Sequence, residues 1–182
     1  MNLEELRIDC AMKQKKGLHF ILASIIIWGM VAIIHKLDMP ILTKNLWTFC
    51  VTAPLLPLAY GISKLIGVKF SDTANPLNKL GMLFSMNQLL YLLIAMWVYP
   101  TVPDKMVMVI AMIFGAHLLP YSWLYRSITY TVMAILIPMS ALIMGNLFEA
   151  YILAIVMMIF EVIFSLALMV EVKREMEVYH VD

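Results

Sequence analysis

The stretch FEAYILAIVMMIFEVIFSLALMV, residues 148–170, decides the fold class of this 182-residue chain. It is apolar over the roughly 20 residues that an α-helix needs to cross about 30 Å of bilayer hydrocarbon. One carboxylate, Glu161, lies at its middle. A charged side chain at the centre of a spanning helix costs about 3 kcal/mol on insertion scales, so it usually faces protein or water and has a partner. The stretch therefore predicts a transmembrane helix whose neighbours offer a polar contact.

The remainder of the chain has the same character. Hydrophobic residues make up 63% of the sequence and charged residues 14%, which is too little polar surface to cover a water-soluble globule of this size. Six apolar runs are long enough to span a bilayer, at about residues 18–34, 46–66, 80–98, 106–125, 128–144 and 148–170. The predicted fold is all-α, an integral membrane bundle of six transmembrane helices, with the lipid bilayer as its solvent.

On this prediction the chain divides into three segments. Residues 1–16 form an amphipathic N-terminal segment with a short interfacial helix, residues 17–171 the six-helix transmembrane domain, and residues 172–182 a short charged tail. In the first segment the acidic residues Glu4, Glu5 and Asp9 precede a basic group formed by Lys13, Lys15 and Lys16. This order suits the helix dipole and places the cations against anionic lipid headgroups. We therefore expect the N-terminal basic residues to contact such headgroups.

The distribution of Lys and Arg predicts the topology. Only three of the 13 such residues, Lys36, Lys44 and Lys105, fall on the side of the bundle opposite the termini. The positive-inside rule then places both termini in the cytoplasm. All connections between spans are short, so an activity would reside in the bundle or its termini. These features predict a multi-pass protein of the plasma membrane.

An internal echo links the second and fourth spans. The segments APLLPLAY, residues 53–60, and AHLLPYSW, residues 116–123, share Ala, two Leu and Pro at the same relative positions. Both spans run in the same direction, so the echo indicates a parallel repeat of helical hairpins formed by helices 1–2 and 3–4. The sixth span lacks the pattern, so the repeat involves these two hairpins and no more.

A polar cluster is predicted near the middle of the bundle. Counted from the ends of their spans, Glu161, His117 and Asn87 lie at one depth, so we expect them within hydrogen-bonding or single-water distance of one another. Helical periodicity and chain adjacency add four polar companions to this candidate site, namely Gln88, Tyr91, Tyr121 and Ser165. The seven residues form a polar stripe in an otherwise apolar bundle.

Two interpretations of this stripe stay open. In the first, its amides and imidazole are interhelical contacts worth about 0.6–2 kcal/mol each, and the protein is a non-catalytic regulatory or assembly partner of another membrane protein. In the second, Glu161 and His117 exchange a proton or hold a ligand, and the protein is a transporter or permeation pathway for a small solute or cation. A protein this small would then have to act as a homo-oligomer.

Other function classes find no support in the sequence. The chain has no H-E-x-x-H, no G-x-S-x-G and no Gly-rich phosphate loop, so we expect no enzyme and no cofactor. A metal site at His117 and Glu161 lacks a convincing third ligand, so no metal is expected. No basic stripe with interleaved aromatic residues extends beyond the N-terminal segment, so nucleic acid is not an expected partner.

Three motifs resemble a family of small six-helix bacterial membrane proteins known only as a domain of unknown function. They are GAHLLPYSWLY at residues 115–125, ANPL at residues 74–77, and the opening basic segment that leads into GLHF at residues 17–20. The resemblance implies a bacterial plasma-membrane protein and implies no activity. Its signature positions are Asn75, His117, Pro120, Tyr121 and Trp123. Glu161 lies outside that signature.

Overall fold

The computed structural model describes residues 2–70 and 74–179. It is 87% helical, and the described residues contain no strand. Six helical segments are long and apolar enough to cross a membrane, so the predicted fold class is confirmed. We call them spans 1–6; they occupy Lys15–Lys36, Ile41–Leu65, Leu77–Thr101, Pro103–Leu124, Ile128–Leu147 and Ala150–Val178.

The α-helices have the following bounds: α1 Leu3–Lys13, α2 Leu18–Lys36, α3 Ile41–Thr52, α4 Leu55–Leu65, α5 Leu77–Thr101, α6 Met106–His117, α7 Leu119–Leu124, α8 Ile128–Leu147 and α9 Ala150–Tyr179. The last helix continues through most of the predicted charged tail, because nothing in its sequence breaks the helix after Val170. Residues 180–182 of that tail lie outside the described residues.

Helix α1 confirms a helix in the N-terminal segment. The Asn2 side chain accepts a hydrogen bond from the Glu5 backbone N–H at 2.9 Å, and the Glu5 carboxylate accepts one from the Asn2 N–H at 3.0 Å. This reciprocal capping fixes where the helix begins. Cys10 and Ala11 are buried against the other helices, so α1 is packed onto the bundle.

Spans 2 and 4 are both interrupted inside the two echoing segments. Span 2 breaks at Ala53 and Pro54, between α3 and α4, and span 4 breaks at Leu118, between α6 and α7. Proline lacks a backbone N–H and its ring crowds the preceding turn, so Pro54 and Pro120 account for the breaks. The proline that the two segments share is Pro57 in span 2, which lies inside α4, and Pro120 in span 4. The echo therefore marks an interruption in each of two helices that run in the same direction, although a different proline accounts for the break in span 2.

The bundle is held by two main helix pairs. Helix α2 packs chiefly on α9, and α6 packs chiefly on α8, while α2 also contacts α3 and α4 and α5 contacts α6. The α6–α8 pair is close because Gly115 has no side chain: a Cβ there would lie 2.5 Å from Cδ of Pro138. The two spans of each predicted hairpin therefore contact each other. The most extensive contacts, however, join span 1 to span 6 and span 4 to span 5.

Candidate functional site

Glu161 is fully buried where α9 packs against α2. Its Oε2 lies 2.6 Å from Oγ of Ser24, and the same Oγ lies 2.7 Å from the carbonyl oxygen of Ile21. A serine hydroxyl has one proton to donate, and a carbonyl can only accept. An ionised Glu161 would have to share that single proton with the Ile21 carbonyl and would be a buried charge with one partner. We therefore infer that Glu161 is the neutral, protonated acid and donates to Ser24.

Glu161 makes no direct hydrogen bond to His117 or Asn87, so the direct form of the predicted contact is wrong. Within residues 2–70 and 74–179, Oε2 of Glu161 has Ser24 as its partner and Oε1 has none. Depth counting fixes the height of a residue along its helix and not the direction in which it points, and Glu161 points toward α2. Ser165, one turn further along α9, is also buried and donates to the carbonyl of Val162 in its own helix at 2.8 Å.

His117, Asn87 and Tyr91 do come together. They border a cavity of about 200 Å³ between α5 and the junction of α6 and α7, which we call the cleft. Its lining residues are Phe84, Asn87, Tyr91, Ala116, His117 and Pro120. Asn87 and Tyr91 are exposed at the surface of the bundle, and the cleft therefore opens sideways, near the middle of spans 3 and 4.

The polar groups of the cleft are only partly used within the protein. The Asn87 amide Nδ2 donates to Oη of Tyr91 at 2.8 Å, within one turn of α5. Nδ1 of His117 bonds to the carbonyl oxygen of Phe114 and is therefore the protonated ring nitrogen. In a neutral ring this leaves Nε2 as an acceptor, and no hydrogen bond within the described part of the chain uses it.

The two other predicted residues differ in their surroundings. Gln88 is half-buried beside Asn87, and its amide has no hydrogen bond to any residue in the described ranges. Tyr121 lies one turn below His117, with ring centroids 5.9 Å apart, and its Oη contacts Ser85 Oγ at 2.6 Å and donates to the Gly81 carbonyl at 2.9 Å. Tyr121 thus ties α7 to α5 beside the cleft and does not border it.

A family model of unknown function, DUF7010, matches residues 3–171. The chain belongs to this family. The DUF7010 match covers all six spans up to the end of the apolar part of α9, and it confirms the predicted resemblance to a family of unknown function. No curated protein and no solved structure matches the chain. Membership in DUF7010 therefore assigns no activity to the cleft or to Glu161.

Within the region matched by DUF7010, the sequence analysis missed an ion cluster. Lys16 is buried, and its Nζ lies 3.1 Å from Oε2 of Glu171 and 2.7 Å from Oε1 of Glu175, just past the end of the match. Glu171 also accepts a hydrogen bond from Ser127 Oγ at 2.6 Å. One feature of the sequence could have predicted this cluster: a basic run precedes span 1, and an acidic residue follows the apolar part of span 6.

This cluster changes the expectation for the N-terminal basic residues. Lys16 is only 1% exposed and faces carboxylates, and Nζ of Lys15 donates to the carbonyl oxygen of Ile66 at 2.6 Å. Both residues have left-handed backbone angles, with φ of 45° and 51°, which turn the chain from α1 into α2. These two lysines therefore bind protein atoms.

Proposed function

We propose that the cleft binds a small, uncharged polar solute and that the protein carries this solute across the membrane. One observation carries the proposal: His117, Asn87 and Tyr91 border one cavity of about 200 Å³ near the middle of two spans. Polar groups in hydrocarbon are costly unless they are hydrogen-bonded, and Nε2 of His117 has no partner in the described residues. A bound solute would supply the missing partner.

The lining chemistry favours a neutral ligand. The polar lining residues are an amide, a phenol and an imidazole, which offer both donors and acceptors. No carboxylate and no Lys or Arg is among the described residues that border the cleft. A metal ion or organic cation would therefore lack a counter-charge in a low-dielectric site. The volume accommodates a molecule of a few heavy atoms, since one water takes about 30 Å³ in the liquid.

The break in span 4 supports transport through this site. Helix α6 ends at His117 and α7 begins at Leu119, so backbone groups are freed beside the cleft. Discontinuous helices near the middle of the bilayer are typical of substrate sites in secondary transporters. Glu161 does not border the cleft. In this proposal it joins span 6 to span 1 and does not contact the solute.

The experiment is solute uptake by liposomes that contain the purified protein. Urea, formamide and glycerol are the probes, and stopped-flow light scattering gives the rate. We expect faster entry of at least one probe than into protein-free liposomes, and a rate reduced about tenfold or more in His117→Phe and Asn87→Leu. Met86→Leu is the control, because Met86 is exposed on α5 and does not border the cleft. Equal rates with and without protein contradict the proposal.

An assembly role is the alternative, favoured by the exposure of Asn87 and Tyr91 at the bundle surface. A helix of another membrane protein, or a second copy of this chain, would then cover the cleft and complete its hydrogen bonds. A photo-crosslinking amino acid at position 90, beside the cleft, distinguishes the two roles in native membranes. A discrete protein adduct supports assembly, and lipid adducts alone oppose it.

A further inference from the structure

A second cavity, of about 390 Å³, lies at the end of the bundle that carries both chain termini. It is bordered by the loop before α8, the first residue of α8 and the last turns of α9, with Lys16 beneath. Helix α9 has 30 residues and is therefore about 45 Å long, which exceeds the roughly 30 Å of hydrocarbon. Its last turns reach the headgroup region of a bilayer.

Two guanidinium groups border this cavity. Arg174 is exposed and has no hydrogen bond or ion pair with any residue in ranges 2–70 and 74–179. Arg126 has a left-handed backbone conformation, with φ of 51°, and its Nε lies 3.2 Å from Oε2 of Glu4. That contact uses one of the five donors of Arg126 and holds the side chain in place. A guanidinium group can bind a phosphate by two parallel hydrogen bonds. Two guanidinium groups at one cavity therefore suit a phosphate ligand.

The carboxylates at the cavity are directed to partners within the protein. Glu171 and Glu175 both contact Nζ of Lys16, and Glu171 also accepts hydrogen bonds from Ser127 Oγ at 2.6 Å and the Thr129 backbone N–H at 3.0 Å. The buried lysine offsets one of their two negative charges. Glu4 contacts Arg126 through a single donor, so Arg126 keeps four donors for a ligand and Arg174 keeps all five.

Apolar side chains flank the same cavity. Ile128 is 78% exposed and Val178 is 64% exposed, at the start of α8 and near the end of α9. Of the two, Ile128 lies on the membrane side of Arg174, because the neighbouring Thr129 N–H bonds to Glu171, one turn before Arg174 on α9. A soluble phosphate would leave Ile128 uncovered, whereas a ligand that joins a phosphate to a hydrocarbon chain would cover Ile128 and contact the guanidinium groups together.

We propose that this cavity binds the phosphate of an anionic phospholipid between Arg126 and Arg174, with an acyl chain against Ile128. Arginines of the loop before α8 and of α9 then contact the headgroup. The N-terminal Lys15 and Lys16 bind atoms within the protein.

The test measures binding of fluorescent phosphatidylglycerol to the purified full chain in phosphatidylcholine nanodiscs. Arg174→Gln is expected to weaken binding about tenfold, the loss of one charge-assisted contact. Lys173→Gln is the matched control, because it removes the same charge from the adjacent exposed residue, which does not border the cavity. Arg126→Gln is expected to act like Arg174→Gln. Glycerophosphoglycerol, which has the headgroup and no chains, is expected to compete poorly.

Each other outcome overturns part of the proposal. Equal weakening by Lys173→Gln and Arg174→Gln would mean general attraction to a cationic surface and no site. Competition by glycerophosphoglycerol at the lipid's own concentration would assign the cavity to a free phosphate ester and remove the lipid. Unchanged binding in both arginine variants, with thermal unfolding as in the wild type, would contradict the site altogether.

Discussion

The Ser24 hydroxyl joins the first span to the last, with its Oγ 2.6 Å from Oε2 of Glu161 across 137 residues of sequence. Both side chains are buried in the most extensive helix contact of the bundle, between α2 and α9. As a neutral acid, Glu161 avoids the cost of a bare charge in hydrocarbon and still gives the two helices a directional contact.

The first prediction follows from that neutrality. Glu161→Gln keeps the shape and a donor toward Ser24, so we expect the free energy of unfolding in detergent to change by less than about 1 kcal/mol. Glu161→Ala leaves a cavity and should cost about 2–4 kcal/mol. Infrared spectroscopy at neutral pH should show a protonated carboxyl band in the wild type that Glu161→Gln lacks. A Gln variant as unstable as the Ala variant would indicate that a charged carboxylate is required.

The second prediction concerns the close contact of α6 and α8. Gly115→Ala places a methyl group 2.5 Å from Cδ of Pro138 and 2.7 Å from Cγ2 of Ile137, so the helices must separate. We expect a loss of about 1–3 kcal/mol in the free energy of unfolding. Gly61→Ala is the control, since a Cβ there meets nothing within 4 Å. It should be neutral or slightly stabilising.

The third prediction concerns the attachment of α1. Asn75 is buried; its Nδ2 donates to the Leu6 carbonyl at 2.7 Å and to Asp9 Oδ2 at 2.9 Å, and its Oδ1 accepts from the Leu77 backbone N–H at 2.9 Å. Asn75→Ala leaves these groups unpaired, at a cost of about 1–3 kcal/mol. Hydrogen exchange should become faster in α1 and in the first turn of α5. Asn146→Ala, which removes an exposed amide bonded within α8, should leave exchange in α1 unchanged.

The fourth prediction is a pH dependence of the same attachment. Burial raises the pKa of Asp9, but its hydrogen bonds to Lys13 and Asn75 prevail and hold the pKa below the usual 3.8. A lowered pKa in the folded state stabilises the protein above pH 3.8, and this contribution is lost as the pH falls below that value. Protection factors of α1 amides, which correct for the intrinsic pH dependence of exchange, should therefore drop as the pH falls below 3.8. Asp9→Asn should remove most of that drop.

Much of the fold was predictable because it depends on one-dimensional properties. Length and hydropathy predict six spans, and the positions of Asn2 and Glu5 predict the capping of α1, since these signals need no knowledge of neighbours. Depth counting along spans 3 and 4 also brought Asn87 and His117 to one cavity, because the two spans are adjacent.

The partner of Glu161 could not be predicted in the same way. Helix α9 is apolar all round in its membrane part, so its sequence does not show which side faces α2. Ser24 gives no signal either, because one serine in an apolar helix is ordinary. The Lys16 cluster was missed for a related reason: a lysine beside a membrane is expected in headgroups, and its burial depends on Glu171 and Glu175, far away in sequence.

The pairing of α2 with α9 has a consequence for biogenesis. Translation produces α2 first among the spanning helices and α9 last, so Lys16 and Ser24 enter the membrane before Glu171 and Glu161 exist. Until then the first helix lacks its most extensive partner, and the surface that α9 will cover faces lipid or the insertion machinery. Assembly therefore finishes with a late docking step, and a ribosome stalled before Glu161 would hold an incomplete bundle that chaperones and membrane proteases can recognise.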